Sequence, residues 1–292
     1  MRLDKYLAQQ HPDLTRSELQ QHIKAGAVTV NGVVVVKPAF DVSVDTDIIE
    51  FTLSTQPDFA NEIQDFATKH VIYQDNNVVV INKPAGLLVH AKGGIDHEFT
   101  VADYVRAQFD PAERAEHSDN NRLGIVHRLD RATSGVMICA RNLATAAMLS
   151  RQFAERKAHK TYLAVTECVP AELAAQINLP IGRNLSRPAT FRVDGKGKVA
   201  ITDYQVLRIN EDGTALLELK PQTGRTHQLR VHLSYIGCPI VGDPIYGHGD
   251  SRYNDGRLML HAWQLEISIP GADGNVRRTF IAEPPREFHY NG

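Results

Sequence analysis

The segment GIVHRLDRATSG, residues 124–135, brings together side chains that could do chemistry. An apolar start is followed at once by His127, Arg128 and Asp130, and then by a Thr-Ser-Gly turn. A carboxylate in such a place can act as a nucleophile or as a general base. An arginine paired with an aspartate at a strand end is also a common structural feature. Asp130 is therefore either half of a salt-bridged turn or the working carboxylate of an enzyme.

Two further polar segments could contribute to a site. In Lys160-Thr161-Tyr162, a tyrosine begins an apolar strand next to a lysine. The segment PQTGRTHQLRVH, residues 221–232, places several cationic or amide side chains in and before one helix, namely Arg225, His227, Gln228, Arg230 and His232. An aromatic residue in a strand usually packs in a core, and an arginine-rich helix start is usually solvated. Each segment alone is therefore compatible with a structural role.

The sequence lacks the motifs of several common enzyme chemistries. The GKGK run at 195–198 does not have the spacing of a phosphate-binding loop, and the glycine pair at 93–94 opens no dinucleotide-binding fingerprint. His227 and His232 are five residues apart, off a common helix face, and no HExxH zinc motif occurs. We therefore expect no metal site, no phosphate-binding loop and no dinucleotide-binding site.

Length and composition favour a soluble globular protein. The 292 residues allow a large domain together with a small one. The apolar runs VVVV at 33–36 and VVVI at 78–81 are strand-sized, far short of a membrane span. The first ten residues, MRLDKYLAQQ, carry charges where a signal peptide needs an apolar stretch. Three separated cysteines suggest neither a disulfide framework nor a metal site, so we expect a cytoplasmic location: Cys139, Cys168 and Cys238.

The charge of the chain is nearly balanced, with one basic stretch. A net charge of −2 argues against a uniformly basic surface, so contact with nucleic acid would come from local patches. Residues 121–160 hold eight basic and two acidic residues, a local net charge of +6. A solvated helix face is the simplest explanation of such a run taken alone.

Residues 1–53 are predicted to form a small α+β domain. RLDKYLAQQ is typical of a helix, and Thr15 stands three residues before Glu18, the spacing of a capping box that opens a second helix. Asn31-Gly32 between β-branched runs predicts a hairpin, and DIIEF predicts a third strand. This small core indicates a domain attached to something larger. Residues 54–70 have weak periodicity and are interpreted as a linker with room for a short helix.

Residues 71–292 are predicted to form a second domain of α+β class. Two strands are expected around Asp-Asn-Asn at 75–77, and further strands at VMICA, KTYLAVTEC, TDYQVLRI, ALLELKP and LMLHAWQLEISIP. Helices are expected at TVADYVRAQF, NLATAAMLSRQFAERK and THQLRVHLSYIG. Consecutive strands joined by short turns favour a mixed, largely antiparallel sheet flanked by helices over a doubly wound parallel sheet.

Several segments together resemble the RluA-type family of RNA pseudouridine synthases. They are HRLDRATSG, INKPAGLLVH, KTYLAV, TGRTHQLRVH with CPIVGDPIYG behind it, and MLHAWQL. They occur in the family's order over 72–266. Residues 1–53 are similar to a small RNA-binding domain named after a small-subunit ribosomal protein, which precedes the catalytic domain in members such as RluC and RluD.

The resemblance implies an isomerase that converts uridine in an RNA chain to pseudouridine without consuming a cofactor. It makes Asp130 the essential carboxylate and leaves open whether Asp130 is a nucleophile or a base. It also makes Arg230 the partner of Asp130, Tyr162 the ring that stacks on the target base, and Arg128 a residue that holds RNA with that base extruded. An extruded base needs such replacement contacts.

The resemblance also implies RNA as the partner, with large-subunit ribosomal RNA favoured and transfer RNA as the alternative. The cations expected to contact phosphates in the small domain are Arg2, Lys5, Arg16 and Lys24. A monomer and no membrane contact are expected. A catalytically idle RNA-binding or ribosome-assembly factor is one alternative. An RNA glycosidase is another, disfavoured because Asp130 is the only acidic residue between 121 and 154, whereas hydrolytic glycosidases usually need two carboxylates.

Overall fold

The computed structural model describes residues 1–24, 26–52, 59–90, 98–117, 122–248 and 256–288. The chain divides into two compact units. The small unit comprises Met1–Ala60 and His90–Phe99, and the large unit comprises Asn61–Val89 and Thr100–Gly292.

The small unit has two helices and a three-stranded antiparallel sheet, as predicted. Its elements are α1 (Leu3–Gln10), α2 (Arg16–Lys24), β1 (Val28–Val30), β2 (Val33–Val34) and β3 (Ile49–Phe51), with strand order β2-β1-β3. Asn31 and Gly32 join β1 to β2 with φ of 53° and 77°, the left-handed conformations that this dipeptide tolerates. The capping box forms, because the Thr15 amide donates to Glu18 Oε2 at 2.6 Å and the Glu18 amide donates to Thr15 Oγ1 at 3.3 Å.

The large unit alternates strands and helices around one extended sheet. Its helices are α3 (Ala60–His70, which starts at the unit boundary), α4 (Val101–Ala107), α5 (Pro111–Glu116), α6 (Leu143–Ala154) and α7 (Gln228–Tyr235). Its strands are β4 (Val71–Gln74), β5 (Val78–Lys83), β6 (Ser134–Ala140), β7 (His159–Thr166), β8 (Ala174–Asn178), β9 (Ile181–Arg183), β10 (Phe191–Val193), β11 (Ile201–Ile209), β12 (Ala215–Pro221), β13 (Leu260–Gly271) and β14 (Gly274–Ile281).

The main sheet is mixed and largely antiparallel, as predicted. Within the described residues it has nine strands in the order β4-β5-β6-β13-β7-β12-β11-β8, with β14 paired to β13. The pair β6–β13 is parallel, and the other pairs in this sheet are antiparallel. Strands β9 and β10 form a separate hairpin. Strand β7 lies between β12 and β13, near the middle of the sheet.

A glycine permits the parallel contact beside the HRLDRATSG segment. Gly135 pairs with Ala262 and has φ of 121°. A Cβ atom at Gly135 would overlap the backbone of Ala262. The absence of a side chain therefore lets the start of β6, directly after the HRLDRATSG turn, approach β13 closely.

Much of the predicted linker is helical. Helix α3 covers Ala60–His70 and buries Phe66, whose ring centroid lies 4.8 Å from that of Tyr104 on α4. This helix corresponds to the short helix that the sequence pattern allowed within the linker. Because Phe66 packs on Tyr104, residues 61–70 belong structurally to the large unit.

The cysteines depart from expectation. The structure pairs Cys168 with Cys238, whose Cα atoms are 5.4 Å apart, although their spacing suggested no disulfide. Because the two cysteines are 70 residues apart, the sequence does not indicate that they lie close together. It arises because the end of β7 bridges the segment after α7 through Thr166 and Ile240. Cys139 is buried and unpaired in β6.

Across the described ranges, no helix combines the length and the apolar character that crossing a membrane requires.

Candidate active site

The three polar segments meet at one cleft of about 510 Å³ in the large unit. The turn before β6, the end of α6, the start of β7 and the start of α7 form its walls. All four residues expected at a catalytic site line it: Arg128, Asp130, Tyr162 and Arg230. The three polar segments, which lie apart in the sequence, therefore line the same cleft.

Asp130 begins the turn that leads into β6. The Thr133 amide donates to the Asp130 carbonyl at 3.1 Å, and the neighbouring Leu129 is buried and anchors the turn. The Asp130 side chain retains 22% of its exposure, so its carboxylate is partly open to the cleft.

A buried lysine ties the INKPAG segment to the residue after Asp130. Lys83 Nζ donates to the carbonyls of Pro84, Leu87 and Arg131 at 2.9, 2.8 and 3.2 Å. Burial lowers the pKa of Lys83 to about 7, and the charge of Asp130 opposes that shift. Because three carbonyl oxygens surround the amine, Lys83 acts as a donor that fixes the turn carrying Asp130.

One oxygen of Asp130 faces two basic side chains. Asp130 Oδ2 is 3.6 Å from Arg230 Nη1 and 3.8 Å from His227 Nε2. The resemblance implied that Arg230 pairs with Asp130, and the structure brings the two together. The closest partner of Arg230 is a different carboxylate, however. Its Nε and Nη2 donate to the two oxygens of Asp243, each at 2.7 Å.

Asp243 is a buried anchor for Arg230. Its Oδ1 also accepts from the amides of Ile245 and Tyr246 at 2.9 and 3.1 Å. Burial alone would lower the pKa of Arg230, but the hydrogen bonds and charge of Asp243, together with the charge of Asp130, raise it above its ordinary value. A permanently charged, fixed guanidinium thus faces Asp130.

His227 is held by a tyrosine from the same loop as Asp243. It precedes α7 in the left-handed conformation, with φ of 56°, and its Nδ1 lies 2.8 Å from Tyr246 Oη. Tyr246 Oη accepts from the Phe191 amide at 2.9 Å. Burial lowers the pKa of His227, and the negative charge of Asp130 opposes that shift. The sequence placed His227 in a polar segment but assigned it no role, and it did not single out Asp243 or Tyr246.

Tyr162 and Lys160 point to the same side of β7, because side chains alternate along a strand. Tyr162 pairs with Leu219 of β12 and with Ala262 of β13, and it is half-buried. Burial raises the pKa of Tyr162, and the charge of Asp130 adds to the effect, so the hydroxyl stays protonated. The cleft therefore presents an uncharged aromatic ring near the carboxylate.

Comparison with known proteins identifies the family. The sequence profile described as RNA pseudouridylate synthase matches residues 77–235, and the S4 domain profile matches residues 1–48. The chain is 37% identical over 295 residues to ribosomal large subunit pseudouridine synthase D of Borreliella burgdorferi, covering 99% of this chain and 87% of that protein. The chain belongs to the RluA family of RNA pseudouridine synthases.

Other relatives agree with this assignment. The dual-specificity RNA pseudouridine synthase RluA of Yersinia pestis is 40% identical over 201 residues, covering 68% of this chain and 92% of that protein. The solved structure of human RNA pseudouridylate synthase domain containing 4 superposes with a TM-score of 0.60 at 30% identity, covering 78% of this chain and 93% of that one. The predicted family, fold class and isomerase activity are thereby confirmed, as is an S4 domain at the start of the chain.

The cleft of this pseudouridine synthase is cationic around a single acid. Of the described residues that line it, Asp130 alone carries a carboxylate, whereas five carry a positive group: Arg128, Arg156, Lys160, Arg225 and Arg230. None of the described residues accepts a hydrogen bond from Lys160 Nζ, and burial lowers the pKa of that amine. Such a lining is suited to a polyanion whose phosphates need neutralising.

The four cationic side chains of the S4 domain that are predicted to contact phosphates are of two kinds, two arginines bound to Asp4 and two exposed lysines. Arg2 and Arg16 both donate to the buried carboxylate of Asp4, with Nη2–Oδ2 distances of 2.9 and 2.8 Å. Burial alone would raise the pKa of Asp4, but hydrogen bonds from Arg2, Gln20 and Arg16 lower it to about 2. Both arginine side chains remain more than 40% exposed. Lys5 and Lys24 are exposed.

No cluster of three or more His, Cys, Asp or Glu side chains within the described ranges could hold a metal ion.

Proposed function

We propose that this enzyme isomerises uridines in large-subunit ribosomal RNA, with Asp130 as the catalytic carboxylate. Relatives named ribosomal large subunit pseudouridine synthase D from Borreliella burgdorferi and Xylella fastidiosa match 99% of this chain, including the S4 domain. The relative from Yersinia pestis is named for a dual specificity, and transfer RNA is our second candidate substrate.

The observation that carries the role of Asp130 is that it is the only acid among the described residues that line a cationic cleft. It lies 3.6 Å from Arg230, which is buried, and it shares the cleft with the ring of Tyr162. A fixed guanidinium orients the carboxylate. The carboxylate can then attack the ring or sugar, or remove a proton, while base, sugar and phosphate all remain on the polymer.

The proposed RNA contacts follow from exposure and charge. Arg128 is exposed at the cleft and fits the space that an extruded base leaves in its stack, whereas Tyr162 offers a face on which the extruded uracil stacks. Lys160 and Arg156 are positioned to neutralise phosphates beside the target nucleotide. The small domain would add phosphate contacts through Lys5, Lys24 and the two arginines fixed by Asp4.

One assay separates the proposed activity from its alternatives. Purified protein is incubated with ribosomal RNA or transfer RNA, and the digested nucleosides are separated by chromatography. Pseudouridine is expected from large-subunit ribosomal RNA. Unchanged RNA would indicate an idle binding factor, abasic RNA a glycosidase, and pseudouridine in transfer RNA alone the second candidate. Mapping pseudouridines in cells with and without the gene then identifies the modified position.

Substitutions of Tyr162 are expected to distinguish the contribution of its aromatic ring from that of its hydroxyl. Tyr162→Phe should bind RNA like the parent and lose less than about tenfold in turnover, because the hydroxyl stays protonated and only its hydrogen bonding is removed. Tyr162→Ala should also weaken RNA binding by about 1–3 kcal/mol, the value of one lost base stack. Binding titrations and turnover measurements test this, with Tyr235→Ala, an exposed tyrosine on α7, as control. Equal RNA affinity of the Phe and Ala variants would rule out stacking.

Loss of the S4 domain is expected to flatten the salt dependence of RNA binding. Deleting residues 1–53 removes the four predicted cations and should leave a folded remainder carrying the cleft. Replacing only Lys5 and Lys24 by glutamine should reduce the slope of log affinity against log salt by about 1.4 to 1.8, if each contacts one phosphate. Titrations at several salt concentrations measure the slope, and Lys69→Gln, exposed on α3, is the control. Coincident slopes would favour a protein-docking or structural role for this domain.

A further inference from the structure

Pseudouridine formation requires a proton to leave carbon. The base detaches from C1′ at N1 and reattaches at C5, so C5 must lose its proton and N1 must gain one. Within the described lining of the cleft, Asp130 is the only carboxylate. If Asp130 acts on the sugar or on the ring, another group is left to take the C5 proton.

Most titratable groups near Asp130 are unsuited to accept that proton. His127 Nε2 already accepts from the Ile138 amide at 3.1 Å, and burial lowers the pKa of His127 to about 3. Tyr162 stays protonated, and the arginines stay charged. Lys83 does not line the cleft, and its amine is engaged by three carbonyl oxygens.

His227 differs from these groups in position and in its bonding. Its Nε2 lies 3.8 Å from Asp130 Oδ2, and the imidazole is one wall of the cleft with 15% of the side chain exposed. The other nitrogen, Nδ1, is held at 2.8 Å by Tyr246 Oη. A hydroxyl can donate to Nδ1 or accept from it, so Tyr246 holds the ring in either tautomer and leaves Nε2 able to gain or lose a proton.

The backbone adds evidence that the position of His227 is specific. A φ of 56° is uncommon for a residue with a side chain, and no side-chain cap hydrogen bond at the start of α7 explains it. The conformation presents the imidazole to Asp130 instead.

We propose that His227 is the base that takes the C5 proton of the isomerised uracil, with Tyr246 holding its ring. This inference rests on the proposed placement of the target uridine against Asp130 and Tyr162. The step begins from the base already joined to C1′ through C5. The C5–H bond breaks, its electron pair forms the C5=C6 bond, the pair of the N1=C6 bond moves to N1, and the proton passes to Nε2. N1 then takes up one proton, from the imidazolium or from water, so atoms and charge balance.

The charges around His227 allow both forms of the imidazole. Asp130 and Asp243 favour the imidazolium, whereas burial, Arg230 and Arg128 favour the neutral ring. Tyr246 contributes its hydroxyl, and the ring of Phe191 on β10 faces the imidazole edge-on with centroids 5.6 Å apart. Because burial lowers the pKa of His227, the neutral base is present at neutral pH, and protonation at lower pH should abolish its action.

The test uses full-length variants at position 227. His227→Asn keeps a polar side chain that tolerates the left-handed backbone but cannot titrate, and His227→Gly tolerates that backbone and opens a space for added imidazole. Turnover is measured with RNA carrying hydrogen or deuterium at C5 of uridine. His117→Asn, at a partly exposed histidine that follows the last residue of α5, is the matched control.

His227→Asn is expected to reduce turnover at least about 100-fold, as is typical when a general base is removed. It should also increase the C5 isotope effect and shift the pH at which turnover is half-maximal. Added imidazole should partly restore His227→Gly. Tyr246→Phe, which keeps the ring over Arg230, should lose roughly tenfold through the missing hydrogen bond.

Turnover of His227→Asn within about threefold of the parent, or a lower turnover with an unchanged isotope effect and no imidazole rescue, would overturn the role of His227. Asp130→Asn, assayed in parallel, keeps the two proposals apart. An inactive Asp130→Asn beside a fully active His227→Asn refutes only this inference, whereas an active Asp130→Asn refutes the proposed role of Asp130.

Discussion

Replacing Asp130 by asparagine is expected to lower pseudouridine formation by more than about a thousandfold while the protein stays folded and binds RNA. The amide keeps the shape of the carboxylate and fits the turn before β6, because the turn depends on the backbone carbonyl of Asp130 and the amide of Thr133. It has neither the charge nor the basicity that attack or proton removal requires. RNA affinity should be unchanged or slightly higher, since the substitution removes the only negative charge among the described residues lining the cleft.

The measurement combines chromatography of digested RNA with a binding titration and a thermal melt. Asp110→Asn is a matched control because Asp110 caps α5 through its side chain and does not line the cleft, and asparagine caps helices equally well. The control should retain parent activity. Turnover of Asp130→Asn within tenfold of the parent would show that Asp130 is not the essential carboxylate.

Features set by neighbouring residues were predictable from the sequence. Asn31-Gly32 adopts the positive φ values of a tight hairpin, and Thr15 with Glu18 forms the predicted capping box. The buried strands β5 and β6 follow from unbroken apolar runs. In each case the residues that determine the structure lie within a few positions of one another, so a linear sequence displays them.

Other elements were missed because their signals are weak. Strand β14 pairs with the long strand β13 but is mostly exposed, so its polar sequence GNVRRTFI lacks an apolar alternation. Helix α5 has only six residues, although Asp110 followed by Pro111 is a recognisable start signal that could have located it.

Pairings between distant residues could not be deduced from one sequence. Asp243 lies thirteen positions beyond Arg230 in a loop, and nothing in that spacing identifies it as the bidentate partner. The convergence of Arg2 and Arg16 on Asp4 and the pairing of Cys168 with Cys238 depend likewise on the tertiary fold. The resemblance located Asp130, Tyr162 and Arg230 in one cleft, but the contacts that hold Arg230 in place required the structure.

Among the residues that do not contact the substrate, Asp243 is therefore the one whose substitution we expect to disturb the site most. Asp243→Asn leaves Arg230 buried at 3% exposure with a neutral partner. Breaking a buried ion pair in this way typically costs about 3–5 kcal/mol in the free energy of unfolding. The guanidinium should then turn toward Asp130, the remaining carboxylate at 3.6 Å, and hold it in a tighter and less reactive pair. We expect turnover to fall by about 100-fold as a result.

Stability and activity can be separated with a second substitution. Arg230→Gln in the Asp243→Asn background removes the buried charge that has lost its bidentate carboxylate partner in the single variant, so much of the lost unfolding free energy should return. Activity should stay low, because Asp130 has then lost its guanidinium as well. Denaturant unfolding and turnover of the parent, both single variants and the double variant form the complete cycle. Additive losses of stability would show that Arg230 and Asp243 do not act as a pair. Recovery of activity together with stability would show that Arg230 serves the fold rather than Asp130.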